Sequence, residues 1–271
     1  MNGPLILVGC GKMGGAMLAG WLEQGISASD VHAVEPAAPL ADEIRSRYGI
    51  NVVGGADELA ADLTPAFVIF AVKPQMMDEA APAYARFANP ETVFLSIAAG
   101  KPIAYFENIL GGNAAIVRAM PNTPAAVGRG ISVACVNGHV TDGQRDMAHG
   151  LLEAVGEAAW VDDEDLLDAV TALSGGGPAY VFLLVEVMTE AGIEAGLPDV
   201  LAAHLARATV AGSGELLRQA PETPDVLRKN VTSPGGTTAE ALRILMADDG
   251  WQPLMTRAIA AATARSRELA G

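Results

Sequence analysis

Two stretches of this sequence carry residues whose types and spacing could do chemistry. One is Gly9-Cys10-Gly11-Lys12-Met13-Gly14, a G-x-G-x-x-G run. Glycine at its first position permits a tight turn. At the second it lets a pyrophosphate approach the backbone, and at the third it lets a helix pack closely on a strand. The other is residues 230–242, NVTSPGGTTAEAL, which sets Thr232, Ser233, Thr237 and Thr238 around Pro234-Gly235-Gly236 before a helical pattern begins. Pro234 removes an amide donor and fixes φ, and the two glycines permit φ > 0. Thr237 or Thr238 is suited to cap the helix, with Glu240 in its first turn. Free amides at such a helix start, beside several hydroxyls, suit a small anion such as a carboxylate. A threonine-capped joint between two helices would explain the same residues without a ligand.

The elements that must position these stretches follow from the apolar pattern. Residues 4–8 are a short apolar run that ends at Gly9, and residues 13–24 are amphipathic with helical spacing. A glycine motif between a strand and a helix is a dinucleotide fingerprint, with the phosphates expected on the helix N-terminus. The next strand is expected at 31–35 and ends in Glu35. An acidic residue about 20 positions past the last glycine accepts hydrogen bonds from both adenine-ribose hydroxyls. A 2′-phosphate there would face a carboxylate, and residues 36–40 hold no Arg or Lys to offset it. NADH is therefore favoured, while Arg45 and Arg47 keep NADPH open. An exposed glutamate at a strand end is the simpler alternative.

Further helices are expected at 38–48, 76–87 and 142–154, and strands at 51–53, 66–72, 92–97, 114–118, 131–136 and 157–161. The alternation predicts an α/β unit with a parallel, doubly wound sheet. Two strand ends, Ala71-Val72-Lys73-Pro74 and Ile97-Ala98-Ala99-Gly100, fall at its carboxyl edge, where small residues leave room for ribose and nicotinamide. The loop Arg118-Ala119-Met120-Pro121-Asn122-Thr123-Pro124 reads two ways. Asn122 and Thr123 position the nicotinamide or substrate, or the loop is a rigid turn. After Trp160 the β signals stop, and helices are expected near 164–172, 179–195, 198–219, 223–230, 237–248 and 252–269. This places a dinucleotide-binding domain at 1–162 and an all-α domain at 163–271. Helix 179–195 is apolar almost all round except Glu186, Glu190 and Glu194, which predicts burial in a homodimer.

Composition narrows the function classes. The chain has 271 residues, 51% hydrophobic and 18% charged, with a formal net charge of -15. That balance argues against a general nucleic-acid or anionic-membrane binder. The two cysteines, Cys10 and Cys135, allow neither a disulfide framework nor a zinc spacing. No metal is expected, and a reducing cytoplasm is the simplest home. The apolar run at residues 5–8 stops at Gly9, unlike a signal peptide. No uninterrupted apolar segment approaches the ~20 residues of a membrane span.

The active site is expected between the cofactor edge and residues 230–238. The second domain has a single lysine, Lys229, and no tyrosine after Tyr180, and none of His32, His139, His149 and His204 sits in a glycine or threonine motif. Reducing a ketone develops an alkoxide that needs a positioned proton donor. A protonated cyclic imine already carries positive charge, so hydride attack neutralises it. A hydroxyl near the nitrogen, such as that of Thr238, would suffice, which favours C=N over C=O reduction.

Taken together, the sequence resembles the pyrroline-5-carboxylate reductase family. The similar stretches are the first-strand glycine turn, Ala71-Val72-Lys73-Pro74, Met120-Pro121-Asn122-Thr123-Pro124, residues 173–180 and, most specifically, residues 230–238. The resemblance implies reduction of L-1-pyrroline-5-carboxylate to L-proline, the final step of proline biosynthesis. It implies a Rossmann domain followed by a helical dimerisation domain, with dimers that often assemble into decamers. It implies that Glu164 and Asn230 border the substrate, that the amides around Gly236 and Thr237 take its carboxylate with help from Ser233, and that Thr238 hydrogen-bonds the ring nitrogen. Val8, Gly9, Cys10, Gly11, Lys12, Met13, Glu35, Ala71, Val72, Lys73, Pro74, Ile97, Ala98 and Ala99 would line the cofactor. One departure is Gly176, where the family usually has serine. Another is Glu35, where members that prefer NADPH tend to carry small or basic residues. A β-hydroxyacid dehydrogenase would need a lysine on helix 179–195, which has none, and a cofactor-sensing protein would need no hydroxyl pocket at 232–238.

Overall fold

The structure, a computed structural model, describes residues 3–270. Its contacts divide the chain into two compact units, Met1–Gly175 with Ala262–Gly271, and Gly176–Ala261.

The first unit is built on eight strands: β1 (Leu5–Val8), β2 (Val31–Val34), β3 (Asn51–Val53), β4 (Phe67–Phe70), β5 (Val93–Ser96), β6 (Ala115–Met120), β7 (Gly130–Val136) and β8 (Gly156–Trp160). They form one sheet in the order β3-β2-β1-β4-β5-β6-β7-β8. The central strands β1, β4 and β5 are buried along their whole length. That is why they read as continuous apolar runs: a parallel strand covered on both faces has no polar side. Leu5 and Leu7 point into one core layer with Met17, Leu18 and Trp21, and Ile6 and Val8 into the other with Phe70, Tyr84, Phe94 and Phe106. Helices α1 (Lys12–Glu23), α2 (Ala38–Tyr48), α3 (Met77–Ala80), α4 (Ile103–Leu110) and α5 (Asp142–Glu153) are interspersed with the strands. Strand β1 lies between β2 and β4, so the strand order reverses there and the carboxyl ends of β1 and β4 border the crevice that an open α/β sheet offers a ligand.

Three local expectations need correction. Strands β6 and β7 pair antiparallel, because residues 121–129 are too few for a crossover helix. The helix expected at 76–87 is broken into 3-10 turns at Pro74–Met76 and Ala81–Phe87 around the short α3, and Pro82, which lacks an N–H, sits at the break. Helix α4, which buries Ile103, Phe106 and Leu110, lies where no element was expected.

After β8 come α6 (Leu166–Val170) and a π-helical turn, Thr171–Gly175. The sequence places a domain boundary at 162/163, whereas contacts divide the chain at 175/176. Leu167 is buried with β-sheet side chains, and Asp168 accepts a hydrogen bond from Ser266 Oγ at 2.6 Å. Packing therefore holds α6, and residues 262–270 after it, in the first unit.

The second unit comprises α7 (Gly177–Glu194), α8 (Asp199–Gln219), α9 (Pro224–Asn230), α10 (Thr237–Leu245) and the first part of α11 (Trp251–Ala270). Helix α7 packs on α8, with Gly192 facing Ala202. No residue of α7 is buried in the single chain, and Phe182 and Leu183 are 62% and 56% exposed. An 18-residue window within the helical run Leu166–Glu194 has a mean hydropathy of 1.4, long and apolar enough by composition to cross a membrane. The run is not one uninterrupted apolar segment, since Asp168, Glu186, Glu190 and Glu194 lie within it and Gly175-Gly176-Gly177-Pro178 breaks it.

Candidate active site

Within the first unit the glycine turn is shaped as its spacing demands. Gly9 has φ 90°, and a Cβ there would strike Val72 Cγ1 and the backbone of Ala71. A Cβ on Gly14 would run into the carbonyl oxygen of Gly9, so only glycine lets α1 sit so close to the turn. A Cβ on Gly11 would meet nothing within 4 Å. Gly11 is also the N-cap of α1 and makes no side-chain cap, which leaves the first amides, of Lys12 and Met13, without intrahelical partners. Open space at Gly11 beside amides free of intrahelical partners is what a pyrophosphate requires, so these residues fit a dinucleotide.

Hydrogen bonds draw the other expected cofactor residues to the same edge. Ala71 N donates to Val8 O, Gly9 N to Val34 O, and Ile97 N to Phe70 O. Ala98 N donates to Ser96 Oγ at 3.2 Å. Lys73 is the extended residue before the 3-10 turn that Pro74 opens. Val8 to Met13, Glu35, Ala71 to Pro74 and Ile97 to Ala99 are thereby gathered at the carboxyl ends of four adjacent strands. Glu35 is only 8% exposed. Its Oε2 accepts from Cys10 N and its Oε1 from Ala37 N, both at 3.0 Å. Burial pushes the Cys10 thiol up to about 12, and the Glu35 charge adds to it, so the thiol is an inert neutral group at this turn.

Three further clusters hold this edge, and spacing alone did not reveal them. Arg118 on β6 is 7% exposed and donates from Nη1 to Glu164 Oε1 at 2.5 Å. The same oxygen accepts from Ile103 N, the first residue of α4, at 2.9 Å. A charged residue inside a buried strand is the available signal, since such a charge needs a partner. Asn122 Oδ1 accepts from Ile131 N at 3.0 Å while its Nδ2 donates to Ser174 O at 3.2 Å. Both ends of the Asn122 amide are thus used to brace the loop, in keeping with a rigid turn. Asp78 Oδ1 accepts from Tyr105 Oη at 2.6 Å and Lys101 Nζ at 2.9 Å, with the ammonium over the Tyr105 ring.

In the second unit, Gly236 N donates to Ser233 O, closing a turn with Pro234 and Gly235 at its centre and Gly235 at φ 69°. Proline followed by a positive-φ glycine is the type II arrangement. It leaves Gly236 extended as the N-cap of α10, with no side-chain cap. The threonine cap expected from the sequence is therefore corrected: Thr237 and Thr238 are the first two helical residues. Their amides, and not that of Gly236, are the donors without an intrahelical partner. Thr232 Oγ1 donates to Arg228 O at 2.7 Å, so this hydroxyl is spent on the end of α9. Asn230, Ser233, Thr237 and Thr238 are exposed around the turn. Glu164 belongs to the first unit, bound to Arg118 and Ile103. Among the described residues no group of three or more His, Cys, Asp or Glu is placed to hold a metal ion.

Residues 5–100 match the family model described as NADP oxidoreductase coenzyme F420-dependent, and residues 164–269 match pyrroline-5-carboxylate reductase dimerisation. The chain is 41% identical to the pyrroline-5-carboxylate reductase of Pseudomonas aeruginosa, with 100% of this chain and 98% of that one covered. This chain belongs to the pyrroline-5-carboxylate reductase family. Among solved structures, the pyrroline-5-carboxylate reductase from Coxiella burnetii superposes with a TM-score of 0.93 at 29% identity, over 100% of both chains. The Plasmodium falciparum pyrroline carboxylate reductase with NADP bound gives 0.82 at 28% identity, over 100% of this chain and 99% of that one. Membership of this reductase family makes the sheet-bearing region a Rossmann-type domain and the helical region a dimerisation domain. The family's dimerisation model begins at residue 164, so α6 belongs to that region by descent and to the first unit by packing.

Proposed function

We propose that this protein reduces L-1-pyrroline-5-carboxylate to L-proline with NAD(P)H, the last step of proline biosynthesis. The observation that carries the reading is full-length kinship to reductases of that name in a chain that keeps the hydroxyl-rich turn at 233–238. The nicotinamide, when bound, supplies the hydride. The amides of Thr237 and Thr238, at the positive end of α10, suit the substrate carboxylate, with the Ser233 hydroxyl beside them. Asn230 lies at the end of α9, one turn away in the chain. Thr238 Oγ1 hydrogen-bonds the ring nitrogen and holds the imine in orientation. Because the protonated imine loses its charge as hydride arrives, no stronger acid is required. Glu164 is the remaining residue that resemblance to the family assigns to the substrate.

The test is NADH oxidation on addition of pyrroline-5-carboxylate. Thr238→Val removes the hydroxyl at nearly constant shape. Loss of a hydrogen bond to a charged group costs about 1.5–3 kcal/mol, a fall in kcat/KM of roughly tenfold to a hundredfold. Thr238→Ser should restore most of it. A valine variant as fast as the parent would remove Thr238 from the reaction.

The cofactor preference follows from Glu35. Its carboxylate accepts from ribose hydroxyls and repels a 2′-phosphate, so NADH is the preferred donor. Glu35→Ser should move the ratio of kcat/KM values toward NADPH, and an unchanged ratio would count against the assignment. A cytoplasmic homodimer, assembling further into decamers, completes the reading.

A further inference from the structure

We propose that Glu35 is also a positioning residue: its carboxylate is a bracket that holds the glycine turn in its binding shape before any dinucleotide arrives. The inference rests on the cofactor reading above and adds a second role to the same side chain. The turn is fixed at one end by Gly9 N donating to Val34 O and at the other by Gly15 N donating to Gly11 O. The span from Gly9 to Gly11 begins and ends on glycine, the residue type with the most backbone freedom to lose. Cys10 N sits in the middle and donates to Glu35 Oε2 at 3.0 Å. The second oxygen is itself anchored, by Ala37 N at 3.0 Å, just beyond the end of β2. The carboxylate thus ties the middle of the turn to the end of the neighbouring strand. Bonds to an ionised acceptor are stronger than neutral ones. With Cys10 held, the turn that carries the free amides of Lys12 and Met13 is already ordered, and binding need not order it.

The two roles are compatible. A carboxylate offers about four lone-pair sites, and the two amides take one on each oxygen. One per oxygen remains for a ribose diol. The roles differ, however, in what a substitution does. Reading the ribose concerns charge against a 2′-phosphate, so it discriminates between dinucleotides. Bracketing concerns the turn that meets the pyrophosphate, which both dinucleotides share.

Two variants of the full-length protein separate them. Glu35→Gln is isosteric but turns one acceptor oxygen into an amide donor, so one of the two backbone bonds is lost along with the charge. Ala37→Pro removes the other donor and leaves the charge in place. Ala37 has φ -79°, which proline adopts without strain. Dissociation constants for NADH and NADPH are measured by fluorescence titration. Hydrogen exchange of the peptide covering residues 8–14 is followed in the cofactor-free protein. The expected result is that Glu35→Gln weakens both dinucleotides at least fivefold. Ala37→Pro should weaken both about threefold with their ratio unchanged, and the 8–14 amides should exchange faster in both variants. Parent-like exchange in both variants overturns the bracket, as does tighter NADPH binding by Glu35→Gln with Ala37→Pro binding like the parent. A parent that binds neither dinucleotide overturns the cofactor reading. Faster exchange in the variants would then still show the bracket.

Discussion

Arg118 and Glu164 are 46 residues apart in the chain and share one short charged contact. The Arg118 side chain is 8% exposed and that of Glu164 29%. Removing one partner of a buried pair costs about 3–5 kcal/mol, because the other charge is left without compensation. Partial exposure of Glu164 lowers that figure here. Glu164→Ala should still depress the urea midpoint clearly, since it strands the Arg118 charge and the Ile103 amide together. Glu164→Gln keeps a carbonyl oxygen for both donors and should lie between parent and alanine variant. Equal midpoints for parent and alanine variant would mean that the pair adds nothing to stability. At this scale the sequence was legible where a motif is local. The glycine turn, Glu35 and the threonine turn each sit inside a short window. The pairing of Arg118 with Glu164 and the bracing of Ser174 by Asn122 join residues far apart in sequence, so no spacing rule reaches them. The threonine cap was misread because the Pro234-Gly235 turn closes on Gly236 and starts α10 one residue early.

At the scale of elements, the entry to α7 is the informative place. Gly175 packs so closely on Met120 that an added Cβ would collide with its terminal methyl. Gly176, the N-cap of α7, has φ -80° and ψ -18°, a conformation open to any residue. Replacing a glycine where the backbone already suits other residues stabilises by about 0.4–1 kcal/mol, by restricting the unfolded chain. Gly176→Ser, which restores the residue usual in the family, should therefore raise the thermal midpoint while leaving kcat near the parent value. A lowered midpoint would mean that the third glycine is needed for the path of the chain. Long periodic elements such as α1, α5, α7 and α8 were readable because each repeats its pattern over several turns. Helix α4 was not, since eight residues give two turns and its N-cap, Pro102, offers no capping side chain. The antiparallel β6–β7 pair was hidden because β6 is buried almost throughout like its parallel neighbours, and only the length of the connection betrays the reversal.

For the molecule as a whole, the exposure of α7 sets the expected assembly. Val181, Phe182, Leu183 and Val187 are 46%, 62%, 56% and 52% exposed in the single chain, on a helix that belongs to the family's dimerisation region. A patch of this kind on a lone subunit marks an interface. Sedimentation at micromolar concentration should show a dimer or larger species, and Phe182→Asp should shift it toward monomer or aggregate. A parent that sediments as a monomer would refute the dimer. The return of residues 262–270 to the first unit has its own bearing on how this polypeptide matures. Asp168 meets Ser266 across 98 residues, and the Leu269 carbonyl lies against Gly100 at the end of the β5 loop. A ribosome delivers the sheet long before it delivers those helical turns. The nascent amino-terminal half therefore emerges with an uncovered seam. It must wait through the synthesis of four more helices before its own closing piece exists.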